Sequence, residues 1–374
     1  MKIAFVYDRV NKFGGAERVL LALHEIWPDA PLYTAIYNKK SGSWANKFKV
    51  IPSFLKDLPL SSTNHEIFPL TTPYAFESFD FRKFDVVLTI TSSDAKGIIT
   101  NPNTLHICYL LTPTRYLWNG YFDHLANPGF GKINPFVKTI MKIFTPVLRK
   151  WDFIASYRPD VYISISNTVA KRIKCYYKRS ATLIYPPVET EKFVTPQKCN
   201  IGEFFLVVSR LVSYKKIDYV ISTFKELGWN LKIIGSGIDK KRLKKISSKN
   251  IEFIDGSLTD EKLCWYYQNC RGLIFSGEED FGISAVEAQA CGKPVIALNK
   301  GGITEIIIPG VTGEIYNTAD EDSLIHALNR FINKNYKMDD CRKNATRFSK
   351  QKFHKNIKIA IENYWKIWKT NKLN

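Results

Sequence analysis

The chain has no C-x-x-C pair, and its seven cysteines, at 108, 175, 199, 264, 270, 291 and 341, are an odd number scattered over 374 residues. That excludes a zinc ribbon and a closed disulfide framework and points to a reducing compartment. No stretch reaches the roughly 20 consecutive apolar residues of a membrane span. The opening "MKIAFVYDRV" has only a short apolar run before its charges, so it reads as a strand and not as a signal peptide. The six histidines, at 24, 65, 106, 124, 326 and 354, keep no ligand spacing. No metal and no cofactor are expected. Acids are scarce: 35 Asp and Glu stand against 54 Lys and Arg, for a net charge of +19. Such an excess favours nucleic acid, phosphorylated ligands or an anionic membrane surface, and says nothing about fold. The expected location is cytoplasmic, with peripheral docking at the inner face of the membrane left open.

With 45% hydrophobic and 24% charged residues the composition is that of a globular protein, and its length suggests two domains. Short apolar runs alternate with segments of helical length. They include "KIAFVYD", "FDVVLTITSS", "TLHICYLL", "VYISIS", "FFLVVSRL", "LKIIGSG", "IEFIDG", "GLIFSG" and "KPVIAL". This alternation implies parallel sheets covered on both faces, and the strands are too many for one sheet. The proline-bearing "YPPVETEKFVTPQKCNIGEFF" at 185–205 is the best linker. The reading is therefore an α/β chain of two Rossmann-like domains facing each other across a cleft. They span 1–189 and 190–350, and an amphipathic, lysine-rich terminal helix at 351–374 packs back towards the first.

The stretch "EEDFGISAVEAQACGKPVIA" at 278–297 sets two of its acids, Glu279 and Glu287, on either side of a glycine turn that opens a helix of small residues. Crevices at the carboxyl ends of such strands bind ligands, and the free N–H groups at a helix start receive anionic or hydroxyl oxygens. Acids at a helix start also complement its dipole, which is the plainer explanation of both. After "FFLVVS" come Arg210 and Lys215; a guanidinium can grip two phosphate oxygens while an ammonium acts as a point charge. Gly14 and Gly15 follow the first strand and open a helix, where backbone can approach a phosphate. Gly235-x-Gly237 lacks the third glycine of a dinucleotide fingerprint, and no acid follows at the required spacing, so a nicotinamide cofactor is not indicated.

Glu279 and Glu287, with seven residues between them, resemble the E-x7-E signature of retaining glycosyltransferases with the GT-B fold, family 4. "FGGAERVL", "SRLVSYKK", "AKRIKCYYKRSATLIYPPVETEKF" and "GGITEII" resemble that family in the same order along the chain. The resemblance implies a nucleoside diphosphate sugar donor. Glu287 would accept hydrogen bonds from the ribose, and Glu279 would face the transferred sugar near its reacting carbon. Phe281, Gly282 and Ile283 would line the turn, Arg210 and Lys215 would hold the diphosphate, and backbone near Gly256 to Leu258 would frame the base. The Gly14-Gly15 loop would face the donor from the other domain. The family usually has glycine after the lysine, and this chain has Lys216, which leaves open which lysine reaches the phosphate. "HICYLLTPTRYLWNGYF" resembles a segment that usually reads "YCHTPxRYLW". Leu111 replaces the histidine, and Thr112, Arg115 and Tyr116 remain as candidate polar contacts on the acceptor or sugar side. Tyr116 and Trp118 read equally well as a helix start packed in the core.

Residues 121–180 hold eleven Lys and Arg against three Asp and Glu, with apolar residues between them. That suits helices lying on anionic lipid headgroups as well as it suits a solvated basic face. The expectation is transfer of a hexose, mannose or similar, to a glycan or lipid-linked acceptor, with retention and without a metal. The competing readings are a GT-B-like nucleotide-sugar epimerase, a catalytically silent binding subunit and a basic nucleic-acid-binding protein. The last lacks a helix-turn-helix, zinc-finger or RNA-binding aromatic signature.

Overall fold

The computed structural model describes residues 1–57, 71–126, 128, 131, 134–196, 202–256 and 258–373. Cys199, part of the 185–205 linker, Lys132 and Ser257 lie outside the described residues. The chain divides into two compact units, Met1–Tyr185 with Phe353–Asn374, and Pro186–Lys352.

The first unit is built on a parallel seven-stranded sheet of order β3-β2-β1-β4-β5-β6-β7. Its strands are β1 (Ile3–Val10), β2 (Leu32–Tyr37), β3 (Val50–Pro52), β4 (Val86–Thr91), β5 (Leu105–Leu110), β6 (Val161–Ser164) and β7 (Thr182–Leu183). The helices are α1 (Gly15–Ile26), α2 (Thr72–Glu77), α3 (Tyr121–Ala126), α4 (Asn134–Ala155) and α5 (Asn167–Tyr177). Every residue of β4 and β5 is buried, as a parallel sheet covered on both faces requires. The cover on one side is an aromatic and aliphatic cluster that includes Val6, Ile36, Phe76, Phe81 and Ile98. His106, within β5, is buried with Nε2 3.2 Å from the Thr89 hydroxyl, and burial pushes its imidazole down to about 3. Residues 115–120, where Tyr116 and Trp118 read equally well as a helix start, form turns, and α3 begins only at Tyr121. Gly120 closes this segment by donating to the Arg115 carbonyl at 2.9 Å.

The second unit repeats the plan with a parallel six-stranded sheet of order β10-β9-β8-β11-β12-β13. Its strands are β8 (Phe204–Val208), β9 (Leu231–Ile234), β10 (Ile251–Ile254), β11 (Cys270–Phe275), β12 (Val295–Leu298) and β13 (Gly313–Tyr316). The helices are α6 (Ile217–Leu227), α7 (Lys240–Ile246), α8 (Asp260–Asn269), α9 (Ile283–Ala290), α10 (Glu321–Ile332) and α11 (Met338–Ala345). The terminal helix α12 runs Lys350–Leu373. Phe205, Val207, Ile221, Phe224, Ile233, Leu328 and Phe331 pack the sheet against its helices.

One charged pair lies inside the first unit. Lys96 and Asp152 are both fully buried, with Lys96 Nζ 2.5 Å from Asp152 Oδ1. Lys96 also donates to the Ser93 carbonyl at 2.7 Å. The Thr114 hydroxyl and the Trp118 indole N–H donate to the Asp152 carboxylate at 2.7 and 2.8 Å. Trp118 is thus tied into the core. Breaking a buried pair leaves an uncompensated charge. Asp152→Ala is therefore expected to cost about 3–5 kcal/mol of stability, measured by denaturant unfolding. Lys96→Met with Asp152→Leu should recover most of that loss. A small effect of Asp152→Ala alone would show that the pair does not hold the fold.

Candidate active site

In the second unit, the chain leaves β8 through a loop that carries Arg210, Lys215 and Lys216. Two glycines hold this loop in place. A Cβ on Gly235 would lie 1.9 Å from the Ser209 carbonyl oxygen, and one on Gly237 would lie 2.1 Å from that of Leu211. The Gly-x-Gly turn therefore serves close backbone packing behind the Arg210 segment. Ser213–Lys215 then forms a single 3-10 turn that delivers the chain into α6.

Lys215 is 3% exposed, and its ammonium is ion-paired with Glu279 Oε1. Its backbone is fixed as well, since Ser276 Oγ at the end of β11 donates to the Lys215 carbonyl at 2.8 Å. Gly277 leaves room for this approach: a Cβ there would meet Lys215 Cα at 3.1 Å. Arg210 is exposed, and its guanidinium donates to the Tyr214 hydroxyl at 2.5 Å. The Tyr214 ring centroid is also 5.0 Å from Lys215 Nζ. Tyr214 thus links the two cations that the sequence singled out. Lys216 is exposed and takes a left-handed backbone, φ 50° and ψ 45°. Glycine adopts that conformation without a Cβ penalty, which accounts for the residue usual at this position in the family that the sequence resembles.

Glu279 sits where the chain from β11 meets the loop after β12. The Gly302 N–H donates to the Glu279 carbonyl at 2.7 Å. Cβ atoms on Gly301 and Gly302 would each come within 2.2 Å of the carbonyl oxygens of Glu279 and Asp280 respectively. Gly282, at φ 126°, forms the N-terminal cap of α9 behind the buried Phe281, and Ile283 is the first residue of the helix. Glu287 lies one turn further on. It is 3% exposed, and its Oε2 accepts from the Tyr267 hydroxyl of α8 at 2.9 Å. Leu258 is half-buried just before Thr259, which caps α8. The structure thus joins Lys215 to Glu279 directly and Arg210 to Lys215 through Tyr214. It sets Glu287 on the neighbouring helix and Lys216 on the surface.

In the first unit, Gly14 caps α1 in extended conformation and the exposed Gly15 begins the helix. Beneath this turn the buried Glu17 accepts a short hydrogen bond from the Tyr7 hydroxyl. Burial raises the Glu17 carboxyl, and the bond from Tyr7 opposes that shift. Thr112 is buried, with Oγ1 3.4 Å from the Arg172 guanidinium. Arg115 is half-buried in the turn that follows. Leu111 continues the β5 edge, donating its N–H to the Thr91 carbonyl at 2.8 Å. The sequence reading passed over the acids at the carboxyl ends of β1 and β4. Asp8 accepts from Thr91 Oγ1, Ser92 N–H and Ala95 N–H at 2.7, 2.8 and 3.1 Å. Asp94 is buried nearby, its carboxyl pushed up to about 7 by burial. Tyr214 and Tyr267 were also missed. Tyr214 had a local signal in its place between Arg210 and Lys215, whereas Tyr267 meets Glu287 only through the packing of α8 on α9.

Solved structures with this architecture are numerous. The structure of Anabaena HepE in complex with UDP and glucose superposes with a TM-score of 0.69 at 17% identity, over 97% of this chain and 99% of that one. Sucrose-phosphate synthase from Thermosynechococcus elongatus gives 0.72 at 15% identity, over 98% and 100%. The two parallel-sheet units define a GT-B fold. Residues 189–348 match the family model of glycosyl transferases group 1. An uncharacterized glycosyltransferase of Methanocaldococcus jannaschii is 30% identical over 202 residues, 53% of this chain and 56% of that protein. An alpha-1,3/1,6-mannosyltransferase of Dictyostelium discoideum is 24% identical over 215 residues, 46% of this chain and 51% of that protein. The matches span little more than half the length of these relatives.

Lys216→Gly is expected to raise stability by about 0.5–1 kcal/mol, because it removes the Cβ strain of the left-handed position. The check is the denaturant midpoint, and a midpoint that stays or falls would show that the lysine is not strained there.

Proposed function

We propose that this chain is a retaining glycosyltransferase that moves a hexose from a nucleoside diphosphate sugar to a glycan or lipid-linked acceptor. The observation that carries the reading is the Lys215–Glu279 ion pair, which sets a buried cation and a one-third-exposed carboxylate side by side at the carboxyl end of β11. A sugar donor presents the same alternation, a phosphate oxygen next to an anomeric carbon. In this reading Lys215 and Arg210 take the diphosphate, and Tyr214 holds Arg210 ready for it. As the bond to the leaving phosphate stretches, negative charge collects on the diphosphate and positive charge on the carbon. Fixed donors stabilise the first, each typically worth about 3 kcal/mol where water is excluded. Glu279, relieved of part of its pairing as Lys215 turns to phosphate, faces the second. The departing phosphate oxygen takes the acceptor's proton.

Glu287, braced by Tyr267, would accept from the ribose, and the turn at 281–283 would offer its amides to the donor. Lys216 stands at the rim as a secondary cation, and Leu258 adjoins the base. Gly14, Gly15, Thr112 and Arg115 belong to the donor and acceptor contacts of the first unit. Because two side-chain cations meet the diphosphate, the reading assigns no metal to the reaction, and activity should persist in EDTA. The relatives suggest hexose donors of two bases: a Mycolicibacterium smegmatis relative, 28% identical over 201 residues, is a GDP-mannose-dependent mannosyltransferase, and the Anabaena protein was solved with UDP and glucose.

The test is a panel of nucleotide sugars assayed for binding by thermal shift and for turnover. Glu279→Gln is the cleaner substitution, because Glu279→Ala would leave the buried Lys215 ammonium without its partner. It should abolish transfer while nucleoside diphosphate still binds. Arg210→Ala should weaken nucleoside diphosphate binding by roughly tenfold or more, in the range of a charge-assisted hydrogen bond. Unchanged turnover in the first, or an unaltered dissociation constant in the second, removes that residue from the site.

A further inference from the structure

Helix α4 has two faces that its sequence alone does not separate. One is anchored: Thr145, Leu148, Asp152 and Ala155 are buried, and Asp152 is consumed by Lys96. The other is apolar and uncovered. Phe136 is 69% exposed, Ile143 61% and Val147 60%, with Ile140, Phe144 and Ile154 also exposed. At about 100° per residue these six side chains fall within an arc of about 100°, a continuous stripe along the helix. Scattered apolar residues on a surface need no explanation, but a stripe aligned on one helix does.

The charges around the stripe indicate what covers it. Lys150 is exposed at the edge of the stripe, Lys142 is exposed about 100° further round the helix from that edge, and Lys138 is half-buried. Arg149 is engaged with the Leu117 carbonyl and lies 4.7 Å from the Tyr121 ring centroid. Asp152 is the only acid in the helix, so α4 exposes cations and apolar groups and no carboxylate. That pairing is the composition of an interfacial helix, whose apolar face enters the acyl boundary while its cations meet anionic headgroups. Among the described residues no helix is long and apolar enough to cross a membrane, so contact through this helix would be peripheral.

We infer that the exposed face of α4 docks the protein on an anionic phospholipid surface, with Phe136, Ile140, Ile143, Phe144 and Val147 entering the headgroup boundary and Lys150 on the phosphates. The inference is independent of the transfer reaction and is read without any nucleotide sugar. The intact chain is floated with vesicles of phosphatidylglycerol and phosphatidylcholine, and with phosphatidylcholine vesicles alone. The wild type should float with the anionic vesicles and stay below with the neutral ones. Ile143→Glu with Val147→Glu should lower the partition by roughly tenfold or more, with an unchanged thermal midpoint because both sites are exposed. Lys150→Ala should lower it too and weaken its dependence on salt, and by more than Lys142→Ala does. Wild type that does not float, floats equally with neutral vesicles, or floats undiminished after the apolar substitutions would overturn the inference. So would a dimer in solution that the same two glutamates dissociate, since a second copy would then be what covers the stripe.

Discussion

A lysine side chain held almost out of water must be neutralised by something, and in this protein the partner is Glu279. The rest of the second unit's site follows from that requirement. The 3-10 turn at 213–215 aims the ammonium inward, Ser276 fixes its carbonyl, and Gly277 clears the space. The carboxylate arrives on a segment whose backbone is tied to the loop at 301–302. Such a pair gains little stability over an apolar pair of the same volume, because desolvation offsets much of the Coulomb attraction. It does fix two opposite charges in register, with one side still open to solvent.

The first unit holds a second buried lysine to the opposite effect. Lys96 and Asp152 are closed off entirely, with the carboxylate's remaining capacity taken by Thr114 and Trp118. Nothing about this pair is available to a ligand. Its consequence is orientation: it pins α4 by one face and so decides which side of that helix meets solvent. Two Lys–carboxylate pairs of similar composition thus do different work, and partial exposure of the acid is what separates them.

The alternating strands and helices of both sheets were legible because each buried strand is a short run of apolar residues between turns. Glu279, the cations at 210 and 215 and the glycine turns could be placed because each lies in the loop that follows a strand's carboxyl end, and Glu287 by its spacing from Glu279. Contacts that depend on tertiary packing could not. Tyr267 reaches Glu287 from another helix, and Asp8 and Asp94 become neighbours only when β1 and β4 pair. At 115–120 one of two open readings, a helix start, is not realised: Trp118 donates to the Asp152 carboxylate and the chain turns. The two faces of α4 were likewise invisible as such, since a mixed basic and apolar stretch has the same composition whichever side is buried.

The adjacent glycines at 301 and 302 carry a consequence for how this protein can drift over generations. A Cβ on either would run into the main-chain oxygen of the acid opposite, so any larger residue would shove that acidic strip sideways. Invariance at these positions would thus arise from clearance between two backbones. A comparison of descendants that equated fixity with ligand contact would credit these glycines with a chemistry that belongs to their neighbours.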